Sequence, residues 1–326
     1  MNYGKCPVCL GKISEEIIEY HDYEWQHTLL FDALEIRYCY ECGFGFSTPD
    51  LALKDIERFY SSQYRQVPAY FIDYKNFSKP FHPDYRSVAQ LMLALQFCTW
   101  EINDVFLDVG PGTGASFNTA HKILKEPNLG AIEYAEGAVE AYQKQYHVSS
   151  IDSLDKYRET FKRQPKIVLS SHSLEHFTYT SAVNFLNDLS KIIDPSGVFI
   201  AEVPHVDFRI HKNMRNEDSP HFLFFSKSAL SKLFSENGFE VLYLNTCGRI
   251  HEKNYGQVYS DVEQTVLKLT RFSKIMQFIK YGVKRMVNIL GISGKVILRN
   301  DNFYYGGDRD CLRIVARRLE VRDNTD

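Results

Sequence analysis

The stretch V-F-L-D-V-G-P-G-T-G-A-S-F, Val105 to Phe117, decides how the rest of the chain is read. An apolar run, Val105 to Val109, breaks at Gly110, Gly112 and Gly114, and helix-permissive sequence follows from Ala115 to Lys125. This order predicts a buried strand, a tight turn and a helix. Glycine adopts positive φ freely and, without a Cβ, lets the backbone approach a ligand closely. The helix N-terminus behind such a turn offers unpaired N–H groups and a partial positive charge, which suits an anionic group. Asp108 stands at the strand end. A second apolar strand, Leu129 to Ile132, ends in Glu133. An acid there can accept hydrogen bonds from both hydroxyls of a ribose.

Two cofactors could use this layout. A dinucleotide site wants G-x-G-x-x-G/A, which Gly110, Gly112 and Ala115 satisfy. An S-adenosylmethionine (SAM) site wants D/E-x-G-x-G-x-G, which Asp108, Gly110, Gly112 and Gly114 satisfy. Asp108 tips the balance toward SAM. A carboxylate can bind the ammonium of methionine, whereas it would repel a pyrophosphate.

The chain has 326 residues, 44% hydrophobic and 24% charged, which suits a folded protein of one large domain or two. A net charge of −3 gives no case for nucleic-acid binding. The sequence holds neither a secretory leader pattern nor a run of about 18 apolar residues, so the expected location is the cytoplasm.

Four of the seven cysteines form two C-x2-C pairs, Cys6/Cys9 and Cys39/Cys42, separated by 29 residues. Two such knuckles can present four thiolates to one structural zinc ion, and a closed set of four leaves no position open for catalysis. Cys98, Cys247 and Cys311 are isolated in sequence and read as small buried apolar residues.

Three regions follow. Residues 1–50 form the zinc-binding module. Residues 51–100 are a helical, aromatic connector and lid, with Tyr60, Tyr64, Tyr70 and Tyr74 packing between domains or covering a ligand. Its second helix has Val88, Leu91, Met92 and Leu95 on one face. Residues 101–326 form the catalytic domain, with a basic amphipathic insertion at 250–305. Beyond Glu133, helices at Ala138–Tyr146, Asp155–Phe161, Ser181–Ile193 and Lys227–Asn237 alternate with strands at Ile167–Ser171, Val198–Val203, Phe239–Leu244 and Cys311–Ala316. Such alternation means a parallel sheet with helices on both faces. Ser226 and Gly238 suit the N-cap and C′ positions of the last helix.

The segments L-D-V-G-P-G-T-G, A-I-E-Y-A, S-H-S-L-E-H-F, G-V-F-I-A-E-V-P-H and H-F-L-F-F-S stand in one order along the chain. The chain thereby resembles the class I SAM-dependent methyltransferases, and within them bacterial sugar and natural-product enzymes with an N-terminal zinc-binding segment. The resemblance implies an α/β, Rossmann-like, seven-stranded sheet whose last strand inserts antiparallel. It implies SAM contacts at Asp108, Gly110, Gly112, Gly114 and Glu133, with Asp152 flanking the adenine and Ser171 and His172 closing over the cofactor. It also implies catalytic positions at His176 and His221, among five histidines (with His172, His205 and His211) at or beyond strand ends. Related sugar C-methyltransferases carry Glu-His where this chain has Pro220-His221, so C-, O- and N-methylation all stay open. Glu175 is expected to support a neighbouring helix or loop.

Residues 264–299 hold eight Lys or Arg and no Asp or Glu, with an apolar helical face that includes Ile275, Ile279 and Met286. This segment could pack on its own domain, form a homodimer contact, bind an anionic substrate or touch a membrane surface. The expected function is methyl transfer from SAM to a small molecule, nucleotide sugar or glycan, without a nucleic-acid partner. An NAD(P)-dependent oxidoreductase and a non-catalytic binding protein with the same fold are the alternatives.

Overall fold

The computed structural model describes residues 4–20, 30–31, 34–64, 71–76, 85–135, 137–151, 153–210, 221–247 and 311–320. Asp152, His211, Tyr70 and the basic segment 264–299 lie outside the described residues.

The N-terminal part carries β1 (Ile18–Glu19), β2 (Glu35–Tyr38) and β3 (Gly45–Thr48), then α1 (Leu53–Arg58), which runs on as a π-helical turn to Gln63. After α2 (Tyr85–Phe97) come β4 (Val105–Val109), α3 (Ala115–Ile123), β5 (Asn128–Ile132), α4 (Ala138–Tyr146) and β6 (Ser149–Ile151). The chain continues through α5 (Tyr157–Thr160), β7 (Pro165–Ser171), α6 (Tyr179–Ile192), β8 (Val198–Pro204) and β9 (Leu223–Phe224). It ends with α7 (Lys227–Glu236), β10 (Phe239–Cys247) and β11 (Cys311–Arg318).

Seven strands form one sheet in the order β10-β11-β8-β7-β4-β5-β6. The β4, β5, β6, β7 and β8 pairings are parallel. β11 is antiparallel to both β8 and β10, as the resemblance implied. This is the Rossmann-like arrangement expected from the sequence. Two details differ. β6 was not expected, because three residues are too few to show a period. The helix expected at Asp155–Phe161 is a 3-10 turn, Leu154–Lys156, followed by the four-residue α5.

The parallel strands β4, β5, β7 and β8 are buried on both faces, as parallel strands between helices must be. Alternate residues therefore serve two cores. Val105, Leu107 and Val109 of β4 join Phe199, Leu186, Leu230 and Phe234 on the α6/α7 side. Phe106 joins Leu91, Phe117 and Tyr142 on the α2/α3/α4 side. Of the stripe expected on α2, Val88 and Leu91 are buried and Met92 and Leu95 half-buried, and Ser87, Gln90, Leu93 and Ala94 are buried as well. The Gln90 amide is satisfied inside, donating to Ser171 Oγ (2.8 Å) and Glu202 Oε2 (3.0 Å). The caps fall where sequence put them. Ser226 Oγ accepts from Ala229 N (3.1 Å), and Gly238 takes φ +88°.

β1, β2, β3 and β9 form a second, antiparallel sheet. The first three strands come from the N-terminal segment and the fourth from the part of the chain that carries the central sheet, so the two are continuous through backbone pairing. Among the described residues no helix is long and apolar enough to cross a membrane.

Phe199 is fully buried and stacks on Phe234 with ring centroids 5.3 Å apart. Phe199→Ala should cost about 3–5 kcal/mol of stability, measured by urea unfolding at unchanged m-value.

Candidate functional site

The β4–α3 turn has φ of +70° at Gly110, +58° at Gly112 and +67° at Gly114, the left-handed conformation that a side chain resists. A Cβ at Gly110 would lie 2.0 Å from Ser173 Oγ. The turn is pinned from outside by the hydroxyls of Tyr74 (3.1 Å) and Tyr142, both donating to the Gly112 carbonyl. Glu133, at the end of β5, spans the same turn: Oε2 accepts from Gly112 N (3.4 Å), and Oε1 from Tyr134 N (2.9 Å) and Ala135 N (3.0 Å).

A cavity of about 120 Å³ opens over the carboxyl ends of β4, β5 and β7, where open α/β sheets bind ligands. Gly110, Glu133, Tyr134, His172, Ser173, His176 and Phe177 line it, with Tyr60 and Tyr64 as its aromatic wall. Through Val109, Ile132, Tyr134 and Phe177 it continues into a basin of about 360 Å³ bordered by Ser153, Leu154 and Asp188. Asp50 and Leu51 from the N-terminal part close that basin's rim, where Asp50 accepts the Thr180 hydroxyl.

Of the residues picked from sequence, Gly110, Glu133, His172 and His176 border this cleft. Gly112, Gly114, Asp108 and Ser171 lie behind the lining. Asp108 has the same strand parity as Phe106, so it points toward α3 and accepts the Ser116 hydroxyl there. Its Oδ1 is buried without a hydrogen-bond partner. Burial raises its carboxyl to about 7, with the Glu133 charge adding and Ser116 opposing. His205 pairs through its backbone with Phe225 and does not border the cleft.

The loop after β7 gathers charge. His172 takes φ +54°, and its N–H donates to the Glu202 carbonyl (2.8 Å). The ring then sits between two buried carboxylates, with Nδ1 3.3 Å from Glu175 and Nε2 3.6 Å from Glu202. Burial alone would depress its pKa. The contacts with the Cys311 sulfur, Glu175 and Glu202 overcome that and raise it to about 11. Burial would likewise raise Glu175, but His172 holds it below the usual carboxylate range. Glu202 is held low against burial by Arg313, its cross-strand partner in register, at 2.7 Å.

His176 and His221 meet on the other side of Glu175. Their rings stand edge to face with centroids 4.9 Å apart, and His221 Nε2 is 3.9 Å from Glu175 Oε1. His176 faces the cavity, and its Nδ1 pairs with the Tyr60 hydroxyl at 2.7 Å. His221 stands behind it, outside the cavity lining. Burial and the neighbouring His176 lower His221 to about 3, so it is neutral near pH 7. Two imidazoles so close can hold one proton between them far more easily than two.

Sequence reading missed the weight carried by Glu175 and Glu202. Glu175 had a local signal, since His172 and His176 lie three residues before and one after it in one loop. Glu202 had a weaker one, a lone acid in the apolar run V-F-I-A-E-V-P. Its partner Arg313 stands alone in C-L-R-I-V-A.

At the N-terminus the two knuckles converge. Cys6 and Cys42 sulfurs are 3.7 Å apart, Cys9 and Cys39 are 3.4 Å apart, and all four lie within 4.8 Å of one another. Backbone N–H groups of Gly11 and Glu41 point at the sulfurs of Cys9 and Cys39, each at 3.4 Å. This donor set can hold one tetrahedral ion. The knuckles dock directly on the catalytic domain. Tyr179 donates to the Pro7 carbonyl (2.8 Å), and Ser226 and Ser228 donate to the Cys42 carbonyl.

A family model described as methyltransferase domain matches residues 79–244. No curated protein matches the chain. Among solved structures, the N-methyltransferase NodS of Bradyrhizobium japonicum is similar at 11% identity, over 80% of this chain and 100% of that one, with a TM-score of 0.44. The cyclopropane synthase MmaA2 of Mycobacterium tuberculosis is similar at 14% identity, over 83% and 100%, with a TM-score of 0.45. A chain from the complex of the Haloferax volcanii Trm112 methyltransferase activator with a methyltransferase is similar at 13% identity, over 72% and 91%, with a TM-score of 0.45.

The neutral His221 has a pH signature. Its folded value of about 3 lies below the unfolded value of about 6.5, so the unfolded chain gains a proton first as pH falls. The stability it contributes is present above pH ~6.5 and is lost as pH falls toward the folded value. Urea unfolding should show a loss of stability from pH 7 to pH 5, and His221→Gln should shrink that loss. An equal loss in both proteins would contradict a buried neutral imidazole.

Proposed function

We infer, since this chain belongs to the class I SAM-dependent methyltransferases, that the cavity beside its glycine turn receives a small acceptor whose proton passes to His176. The family membership decides between the two cofactors that the turn alone left open. The residues present fit SAM: a left-handed glycine cradle, a free buried oxygen on Asp108 beneath it, and Glu133 at the end of the neighbouring strand. When bound, SAM supplies an electrophilic sulfonium methyl. Glu133 and Gly110 would hold it in the cleft, and Tyr134, Ser153 and Leu154 would border its outer end.

The observation that carries the acceptor site is the meeting of His176 with Tyr60 on the cavity wall, backed by His221. Methyl transfer depends first on holding the nucleophile in line with the methyl. Tyr60, Tyr64 and Phe177 offer flat apolar walls for a ring, while His176 and Tyr60 offer polar edges. A hydroxylated ring such as a sugar, nucleotide sugar or glycan unit suits such a lining. His172 cannot take the proton, because Glu175 and Glu202 keep it charged. The His176–His221 pair, with ring centroids 4.9 Å apart and His221 neutral, can accept one proton and pass it between its members.

The test requires an acceptor found by screening nucleotide sugars and glycans with labelled SAM. His176→Ala should lower the methylation rate by about 10²–10⁴-fold with SAM affinity little changed. His221→Ala should lower it less, and the double variant should be less than additive. Gly110→Val should instead abolish SAM binding. Full activity in His176→Ala would remove it from the proton path, and lost SAM binding in that variant would place it in the cofactor site.

The four N-terminal thiols are assigned to one structural zinc. What supports this is the closed set of four sulfurs with N–H groups directed at two of them. Purified protein should hold about one zinc per chain, counted by elemental analysis. Because β3 pairs with β9 next to His221, Cys39→Ser should lower folding yield and loosen this sheet. Zinc-free protein with unchanged unfolding behaviour would contradict the assignment.

A further inference from the structure

Cys247 and Cys311 are 64 positions apart in sequence, but they are directly opposite each other as the last register pair of β10 and β11. The sequence alone read them as isolated, and the antiparallel insertion of β11 corrects that. Residues facing each other across antiparallel strands have Cα atoms about 4.5–5.5 Å apart, inside the range a disulfide spans. Both thiols are free and buried. A third group completes the arrangement: Cys311 Sγ lies 3.7 Å from His172 Nε2. His172 borders the cofactor cleft and is partly exposed there, which gives a small oxidant a way in.

We propose that Cys311 and Cys247 form a peroxide-responsive oxidation site, in which Cys311 is attacked first, beside His172, and Cys247 resolves it as a disulfide. This assignment is independent of the acceptor reading above. The chemistry balances with hydrogen peroxide as oxidant. The Cys311 thiolate attacks one peroxide oxygen, the O–O bond breaks, and the departing hydroxide takes a proton from the His172 imidazolium and leaves as water. Cys247 then attacks the sulfenic sulfur, an S–S bond forms, the S–O bond breaks, and the second oxygen leaves as water with the Cys247 proton. Two sulfurs are each oxidised by one electron, and the peroxide takes up both.

The charges around Cys311 favour this order. The Cys247 thiol lowers Cys311 most, burial opposes, and the His172 contact lowers it further, to about 6. The buried Glu202 charge opposes ionisation, while Arg313 pairs with Glu202 and offsets it. Cys98 provides an internal contrast, since burial pushes it up to about 12 and no cysteine stands opposite it. A thiolate reacts where a thiol does not. Forming the disulfide removes the sulfur from His172, so oxidation changes a residue on the cleft wall.

The experiment treats the zinc-loaded full chain with hydrogen peroxide at pH 7, quenches with an alkylating agent and maps tryptic peptides without reduction. Leu233–Arg249 should appear linked to Asp310–Arg313, with dithiothreitol releasing both. The link should form at least about tenfold faster than Cys98 is oxidised. In Cys247→Ser, dimedone should label Cys311 as a sulfenic acid. In Cys311→Ser, Cys247 should stay reduced. The proposal is overturned if Cys247 and Cys311 remain alkylatable under peroxide, if they oxidise no faster than Cys98, or if Cys247→Ser gives no dimedone adduct at Cys311.

Discussion

Glu202 is a carboxylate with 1% side-chain exposure at the carboxyl end of β8, and much of the site is anchored to it. Burying one charge costs several kcal/mol unless partners compensate, and removing a partner typically costs about 3–5 kcal/mol. Four side chains from three elements supply them here. Arg313 comes from β11, Gln90 and Arg86 from α2, and His172 from the loop after β7. Each partner is thereby fixed relative to the others. The last strand is locked in register against β8, α2 is turned so that a polar residue faces the sheet, and His172 is held charged at the cleft. The third of these effects reaches the chemistry. His172 holds the Glu175 carboxylate charged beside His221, which burial and the neighbouring His176 keep neutral.

That chain of charge is supported from the N-terminal side. Phe222 N donates to the Glu175 carbonyl (2.9 Å), and the Tyr20 hydroxyl donates to the His221 carbonyl (2.6 Å). β9 begins one residue later and pairs with β3, the strand next to the second cysteine knuckle. The N-terminal segment thus shapes the site without contributing a reacting group. It fixes the backbone that carries His221, and through α1 and its π-helical extension it delivers Tyr60 to His176. A buried hydrogen bond of this kind contributes about 1 kcal/mol, so the placement rests on many such bonds together with the aromatic cluster of Phe31, Phe59 and Phe222.

The part of this protein legible from sequence is the part governed by local rules. The glycine turn, the buried strand Val105–Val109, the caps at Ser226 and Gly238 and the antiparallel last strand were all readable, the last through family resemblance. The cysteine knuckles were readable because the cysteines of each pair are only three positions apart. What escaped depends on register between distant segments. Glu202 meets Arg313, and Cys247 meets Cys311, only because β11 enters between β8 and β10 after a long excursion. No period in the sequence encodes that pairing. β9 is two residues long, too short to announce itself, yet it completes the N-terminal sheet from far along the chain. Asp108, read from the sequence as a cofactor contact, bonds to Ser116 on the α3 side of β4 and keeps one buried oxygen without a hydrogen-bond partner.

The central claim is that one cleft holds the cofactor along the glycine turn and the acceptor against His176. A crystal structure of the protein with S-adenosylhomocysteine tests it most directly. The account predicts the ribose on Glu133, the amino-acid end over Gly110 and the sulfur turned toward the His176 and Tyr60 wall. A ligand bound elsewhere, or one whose sulfur faces away from His176, would contradict it.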